Sequence, residues 1–203
     1  MSTDKQLNTE TVAIILAAGS SSRLGQSKQL LKIGKETLLQ KIALTALASG
    51  MDKVVVVLGA GYEKHQPEIS GLPVHIVFNP DWEKGMGSSL KCGVRFAVET
   101  FPDVDAVILM VCDQPKLIPE HLKKLIDTHR STETAIVSSH YSGSPGVPVL
   151  FHRSLFAKLL DAGDEQGAKK IVQDHLALVS FVEFLEGEVD IDTPEDLKKF
   201  AIP

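Results

Sequence analysis

The chain predicts an α/β fold built on a mostly parallel sheet, and three observations carry that expectation. Apolar runs too short for helices, mostly β-branched, recur at residues 11–17, 54–58, 74–78 and 106–111; such runs read as strands buried on both faces. Stretches with apolar residues at helical spacing fall between them, notably over residues 36–49 and 89–100. Loops rich in Gly and Ser follow the first and third runs at their C-terminal ends. A β-α-β-α-β order packs as parallel strands joined by right-handed crossovers, with helices on both faces.

Taken in order, residues 1–10 are polar, lack an apolar h-region and read as a frayed lead-in, not a signal peptide. The first strand, 11–17, runs into LAAGSSSRLGQSK at residues 16–28. Gly19, the three consecutive serines 20–22, Arg23, Gly25 and Lys28 fall within ten residues there. Small residues let backbone N–H groups approach a ligand, and Arg23 and Lys28 add positive charge; phosphate oxygens are the ligand that needs both. The spacing fits neither G-x-x-x-x-G-K-[ST] nor G-x-G-x-x-G, which argues against an ATPase P-loop and a dinucleotide fingerprint. Residues 29–33 read as extended or turn-like. The helix over 36–49 places Leu38, Leu39, Ile42, Ala43, Ala46 and Leu47 on one face and closes at Gly50. A short helix is expected over 63–69 between the strands at 54–58 and 74–78.

The second informative loop is NPDWEKGMGSS at residues 79–89, leading into the helix over 89–100. Ser88 or Ser89 is suited to cap that helix. The strand over 106–111 ends in Cys112-Asp113-Gln114-Pro115, which puts the Asp113 carboxylate at the C-terminal tip of a central strand, where open α/β sheets bind ligands. Mg²⁺ favours one or two carboxylates together with phosphate oxygens, so Asp113 is a candidate metal ligand; a solvated turn is its other reading. A helix follows from Pro119 to about Arg130. Strands are expected at 135–139 and 147–151, and Pro148 places the second at a sheet edge or a bulge. A helix over 154–160, another opened by the segment 163–168 and ending near His175, a strand over 179–184 and a final helix opening at Thr193-Pro194 complete the chain. The sum is a single Rossmann-like three-layer domain over residues 1–203, with an antiparallel strand in the C-terminal half.

Composition narrows the function. Net charge is −5 over 203 residues, charged residues are mixed in sign, and aromatics are only 5%. With no basic stripe, nucleic acid is a poor partner. No apolar stretch reaches membrane-spanning length, so no membrane partner is expected. Cys92 and Cys112 show no metal spacing, which points to two small buried thiols in a reducing, cytoplasmic setting. The histidines form no ligand-spaced pairs, and no nucleophile–His–acid arrangement is readable, so covalent catalysis has little support.

The spacing L-A-A-G-x-S-x-R-x-G-x-x-K resembles the opening signature of nucleotidyltransferases, and the chain is most similar to the MobA-like NTP transferase family, in particular its molybdenum cofactor cytidylyltransferase branch. N-P-x-W-x-x-G-x-x-S-S-L-x-x-G, D-Q-P, P-G-V-P-V-L-F, G-D-x-Q-G-A-K and D-I-D-T-P-E-D-L resemble further motifs of that branch, in order along nearly the whole chain. The resemblance implies CMP transfer from CTP to the phosphate of molybdopterin, with release of pyrophosphate and Mg²⁺ as cofactor. It implies Leu16, Ala17, Ala18, Gly19, Ser21, Arg23, Gly25, Lys28, Asn79, Gly87 and Ser89 as nucleotide-binding residues, with Gly85 on the same wall. Arg23, Lys28, Asp113 and Asp192 are the implied catalytic group. Asp113 and Asp192 are the implied metal ligands, with Asp190 the weaker candidate. The implied partners are a nucleoside triphosphate, CTP favoured, a molybdopterin-type acceptor, and a molybdoenzyme or its maturation factor. The segment at 163–169 departs from the family spacing, so Lys169 is either an acceptor-binding cation or a surface residue. Guanylyl transfer to the same acceptor, nucleotidyl transfer to a sugar or alcohol phosphate, and a silent nucleotide-binding regulator are the alternatives.

Overall fold

A computed structural model describes residues 10–191 and Asp196, with Arg23 described by its backbone alone. Nine strands and six α-helices occupy this span: β1 Glu10–Ala17, β2 Lys32–Ile33, β3 Glu36–Thr37, α1 Leu38–Ala48, β4 Lys53–Leu58, α2 Tyr62–Ile69, β5 His75–Phe78, α3 Met86–Thr100, β6 Val104–Val111, α4 Pro119–Thr132, β7 Ile136–Tyr141, β8 Ser144–His152, α5 Phe156–Leu160, α6 Ala168–Asp174 and β9 Val179–Glu183. Seven strands form one sheet in the order β5-β4-β1-β6-β8-β7-β9, and β2 and β3 make a separate hairpin. Pairing is parallel throughout the large sheet except on the two edges of β8. The expected α/β architecture and its single antiparallel strand are therefore both present. Among the described residues, no helix is long and apolar enough to cross a membrane.

The sheet separates two cores. Helices α1, α2 and α4 pack on one face through Leu38, Leu39, Ile42, Ile69, Leu122 and Leu125. Helix α3, with α5 and α6, covers the other through Leu90, Val94, Ala97, Leu159 and Val172. Strand β1 feeds both cores: Ile14 and Ile15 point to opposite faces and both are fully buried. Burial of each such side chain is worth about 1.5–3 kcal/mol.

The structure corrects several sequence expectations. Helix α1 begins at Leu38, because Glu36 and Thr37 pair with β2 and Thr37 forms a capping box with Gln40. Helix α3 begins at Met86, not Ser89, so neither Ser88 nor Ser89 is a cap; Gly85 occupies that position. Pro148 does not lie at an edge, since β8 is hydrogen-bonded on both sides. It does lie at an irregularity: the pairing with β7 shifts between Ser138 and Ser139, opposite residues 146–149. The turn between β7 and β8 is only two residues long: the strands meet across Ser142 and Gly143, both at positive φ, and β8 already begins at Ser144. Cys112 is buried as expected, whereas Cys92 is partly exposed. The expected helix after Thr193 lies outside the described residues apart from Asp196, which is helical.

Two features of this packing have measurable consequences. Gly93 lets α3 lie directly on the sheet: a Cβ there would overlap Ile14 Cγ2 and come within 2.9 Å of Val57 Cγ2. Gly93→Ala should cost about 1–3 kcal/mol in denaturant unfolding, as overpacking of a full core does. His121 is buried, stacks on Phe184 at 4.4 Å, and sits 2.7 Å from Ser139 Oγ. Ser139 Oγ donates to the Pro148 carbonyl, so His121 Nε2–H donates to Ser139. Burial, helped by the nearby Lys124 charge, pushes the His121 pKa down from 6.5 to about 4. The unfolded chain thus takes up a proton that the native state refuses, and stability should fall as pH drops from 6.5 towards 4. His121→Phe should flatten that part of the unfolding free-energy profile; parallel profiles would show that His121 does not titrate in the window.

Candidate active site

A cavity of about 380 Å³ opens at the C-terminal ends of β1 and β6. This is where strand order reverses: the chain moves from β1 to β4 and β5 on one side, then crosses to β6 on the other. Loops leaving adjacent strands in opposite directions leave a crevice between them. One wall is the β1 loop, through Leu16, Ala17, Ala18, Gly19 and Ser20. The opposite wall is the end of β6, through Val111, Cys112 and Asp113. Lys28 and Gln29 close one side, and Trp82, Gly85, Met86 and Ser89 close the other.

Lys28 Nζ lies 2.9 Å from Asp113 Oδ2, with the two side chains only 17% and 24% exposed. The pair joins residues 85 positions apart. A 3-10 turn over Lys28–Leu30 sets the lysine's position, and the Lys28 amide donates to Ser21 Oγ at 3.1 Å. The next residue, Gln29, turns inward. Its Nε2 donates to the carbonyls of Ala17 (3.0 Å) and Gly19 (2.9 Å), while its Oε1 accepts from Ser21 Oγ (3.2 Å) and Ser27 Oγ (2.9 Å). Since Ser27 spends its hydrogen on Gln29, its 2.6 Å contact with His65 Nε2 is donated by the histidine. Burial, with Lys64 nearby, lowers the His65 pKa and favours that neutral form.

On the far wall, Asn79 Nδ2 donates to both Ser88 Oγ (2.9 Å) and Ser89 Oγ (3.0 Å), and its Oδ1 accepts from the Asp81 amide (3.0 Å). The single Ser88 hydroxyl hydrogen is shared between the carbonyls of Asp81 and Gly85, both 2.8 Å away. The Ser89 O–H has no acceptor among the described residues, so it faces the cavity with a hydrogen to give.

Of the residues expected from sequence, Leu16, Ala17, Ala18, Gly19, Lys28, Gly85, Ser89 and Asp113 line this one cavity. Four others do not line it. Ser21 is a left-handed residue (φ 54°) whose hydroxyl braces Lys28 and Gln29. Gly25 (φ 71°) ends the 3-10 turn over Ser22–Leu24. Asn79 is buried and supports the serines. Gly87 lies under residues 163–166 and donates to the Asp164 carbonyl at 2.7 Å; a side chain there would overlap the Gly163 carbonyl. The Arg23 side chain and Asp192 lie outside the described residues. The Ile191 amide donates to the Asp113 carbonyl at 3.2 Å, so the chain just before Asp192 is fastened to the end of β6. Burial first, and then the nearby Asp190 charge, pushes the Tyr141 pKa up, which places Asp190 close to that side chain. Lys91, not Lys169, makes the ion pair of the 163–169 segment, at 2.5 Å from Asp164 Oδ1.

Sequence reasoning missed Gln29, His65 and Trp82 as parts of the site. Trp82, the sole tryptophan, carried a signal because it sits inside the second motif. Gln29 and His65 carried none, since only the fold buries them. No three His, Cys, Asp or Glu side chains cluster at metal-binding geometry among the described residues. A single carboxylate beside a phosphate-sized loop suits Mg²⁺, which takes few protein ligands and completes its shell with phosphate oxygens and water.

Comparison with known proteins agrees with this geometry. Residues 13–179 match the model of the MobA-like NTP transferase domain. The chain is 32% identical over 197 residues to purine catabolism protein PucB of Bacillus subtilis, covering 91% of this chain and 93% of that protein. It is 31% identical to nicotine blue oxidoreductase of Paenarthrobacter nicotinovorans, with the same coverages. It is 30% identical to molybdenum cofactor cytidylyltransferase of Escherichia coli, over 90% of this chain and 91% of that one. Among solved structures, Rv0371c of Mycobacterium tuberculosis superposes with a TM-score of 0.82 at 28% identity, over 95% of this chain and 97% of that chain. The same mycobacterial protein in complex with manganese gives a TM-score of 0.79 at 25% identity, over 95% and 98%. The chain therefore belongs to the MobA-like NTP transferase family.

Proposed function

We propose that this nucleotidyltransferase moves CMP from CTP onto the terminal phosphate of a molybdopterin-type acceptor and releases pyrophosphate. The observation that carries the reading is the Lys28–Asp113 pair set against the 17–20 loop in one cavity at the switch point of the sheet. The similarity to a molybdenum cofactor cytidylyltransferase supports the acceptor. Slightly higher identity, 32% and 31% against 30%, to proteins named for purine catabolism and nicotine blue oxidation favours a second reading, in which the same transfer chemistry serves a different phosphate acceptor.

An oxygen of the acceptor phosphate attacks the α-phosphorus, the bond to the bridging β-oxygen breaks, and pyrophosphate leaves. The attacking oxygen is anionic at neutral pH, so positioning and charge stabilisation suffice without a general base. Backbone amides of the β1 loop hold the β- and γ-phosphates. Lys28 turns from Asp113 towards them and offsets charge on the departing pyrophosphate. Asp113, with Asp192 as the second carboxylate, would hold Mg²⁺, which when bound would supply Lewis-acid stabilisation of the α-phosphate. The manganese complex of the mycobacterial homologue supports a divalent ion. Ser89 donates to the base from the far wall. Localisation in the cytoplasm, where nucleotides and reduced cofactor precursors are available, accompanies this reading.

The decisive assay is pyrophosphate release from each nucleoside triphosphate with Mg²⁺ and purified molybdenum cofactor. Release is expected with CTP and only when the cofactor is present; release that ignores the cofactor would remove the proposed acceptor. Lys28→Ala should lower kcat more than it weakens CTP binding, because the pyrophosphate charge it meets grows in the transition state. Asp113→Asn should abolish most turnover while the thermal midpoint holds. A Lys28→Ala effect confined to KM would limit the lysine to ground-state binding.

Ala18, which is 4% exposed and packed at the cavity wall, biases base choice, and hydrogen bonds from the loop amides and Ser89 to the cytosine edge supply the rest. The Ala18 carbonyl accepts from the Ala60 amide at 3.0 Å, and a Cβ on Gly59 would come within 2.8 Å of that oxygen, so the turn has little room to shift. A methyl on a rigid turn narrows the pocket towards a pyrimidine, by about 1–3 kcal/mol. Competition between CTP and GTP should favour CTP, and Ala18→Gly should relax that preference without reversing it. Equal use of both nucleotides by the unsubstituted protein would reduce Ala18 to a packing role.

A further inference from the structure

We propose that Gln29 is a positioning residue that sets the direction of the backbone amides in the phosphate-facing loop, braced from helix α2 by His65 through Ser27. The inference rests on the nucleotide reading above and adds a residue that makes no reaction step itself.

Gln29 is 2% exposed, and its carboxamide is saturated. Both N–H bonds go to loop carbonyls, Ala17 and Gly19, and both lone pairs of Oε1 are taken, by Ser21 and Ser27. A trans peptide holds its N–H opposite its C=O. Fixing the carbonyls of Ala17 and Gly19 on Gln29 therefore turns the amide N–H groups of Ala18 and Ser20 away from it, along the stretch that lines the cavity. The intervening Ala18 carbonyl is fixed separately, by the Ala60 amide. Successive peptides of the loop are thus locked in alternating directions by two different anchors. A loop of Ala, Gly and Ser has no bulky side chains to hold such an arrangement, so a buried carboxamide must do so.

The brace is equally specific. Ser27 gives its hydrogen to Gln29 and accepts from His65 Nε2 at 2.6 Å. His65 is 3% exposed, and its Nδ1 is buried with no partner among the described residues. An orphaned ring nitrogen is costly, and it is tolerated here while the other nitrogen holds Ser27. The same turn that seats Gln29 carries Lys28 to Asp113, so loop direction and cavity charge are set by adjacent residues.

Glutamate has the same shape but, ionised, cannot donate, so Gln29→Glu would face two carbonyl oxygens with a carboxylate. The test is titration calorimetry of the whole protein with CTP and with CMP, alongside thermal midpoints. Gln29→Glu and Gln29→Leu should each weaken CTP binding by at least about tenfold, the effect of losing two or more hydrogen-bonded anchors, with CMP binding unchanged. Ser27→Ala, which removes a single anchor, should weaken CTP binding in the same direction by less and keeps the test decisive if the Gln29 variants do not fold. Equal losses for CTP and CMP would mean general loosening and would overturn the proposal, as would CTP binding unchanged in all variants that fold. A wild-type protein that binds neither CTP nor GTP would overturn the nucleotide reading and this inference with it.

Discussion

Strand β1 is hydrogen-bonded along both edges, to β4 from Val12 to Ala17 and to β6 from Glu10 to Leu16, with its side chains divided between the two cores. That double pairing is the constraint on which the site depends. A slip by one residue would carry Ile14 and Ile15 to the wrong faces, and neither core could accept them without repacking. The end of β1 is therefore held rigidly, and the loop leaving it begins from a fixed point. The parallel pairing brings Leu16 beside Val111 and so places the Ala17–Ser20 stretch opposite Asp113.

Buried polar groups carry that rigidity outward. Gln29 fixes one side of the cavity, and Asn79 fixes the other by holding two adjacent serines. Gln114, 1% exposed, ties the residue after Asp113 to the carbonyls of Val147 and Gly187. Gln29 and Asn79 each tie together the two arms of one loop, whereas Gln114 joins segments 33 and 73 residues away. In a dry interior, an unmet donor or acceptor costs more than a made bond gains, so such groups favour one arrangement of the chain over its neighbours. Gln114 Oε1 has no partner among the described residues, a cost borne next to the carboxylate-bearing strand end.

Electrostatics fit the same frame. A chain of net charge −5 binds a polyphosphate only if its cations are concentrated where the anion sits. Lys28 is held in the cavity by Asp113, largely out of solvent, where screening is weak. The carboxylate holds the lysine in place, and the lysine offsets the carboxylate's repulsion towards an incoming anion.

The sequence by itself determined the elements whose signals are local. Runs such as VVVVL and VILMV are strands because β-branched and apolar side chains fill both sides of a buried sheet, and β4 and β6 contain them as expected. Gly19, Lys28, Ser89 and Asp113 were legible because each stands in a motif at a strand end or helix start, and the fold brings these four to one cavity. Tertiary structure alone decided the rest. Gln29 and His65 look like surface residues in sequence and become buried because the turn after the loop folds back against α2. Asn79 and Gly87 stand in the right motif but do not line the cavity, since α3 starts three residues earlier than its serines suggest. Pro148 sits inside the sheet because the register shift opposite it absorbs the missing donor, a compensation supplied by β7 that residues 147–151 do not encode.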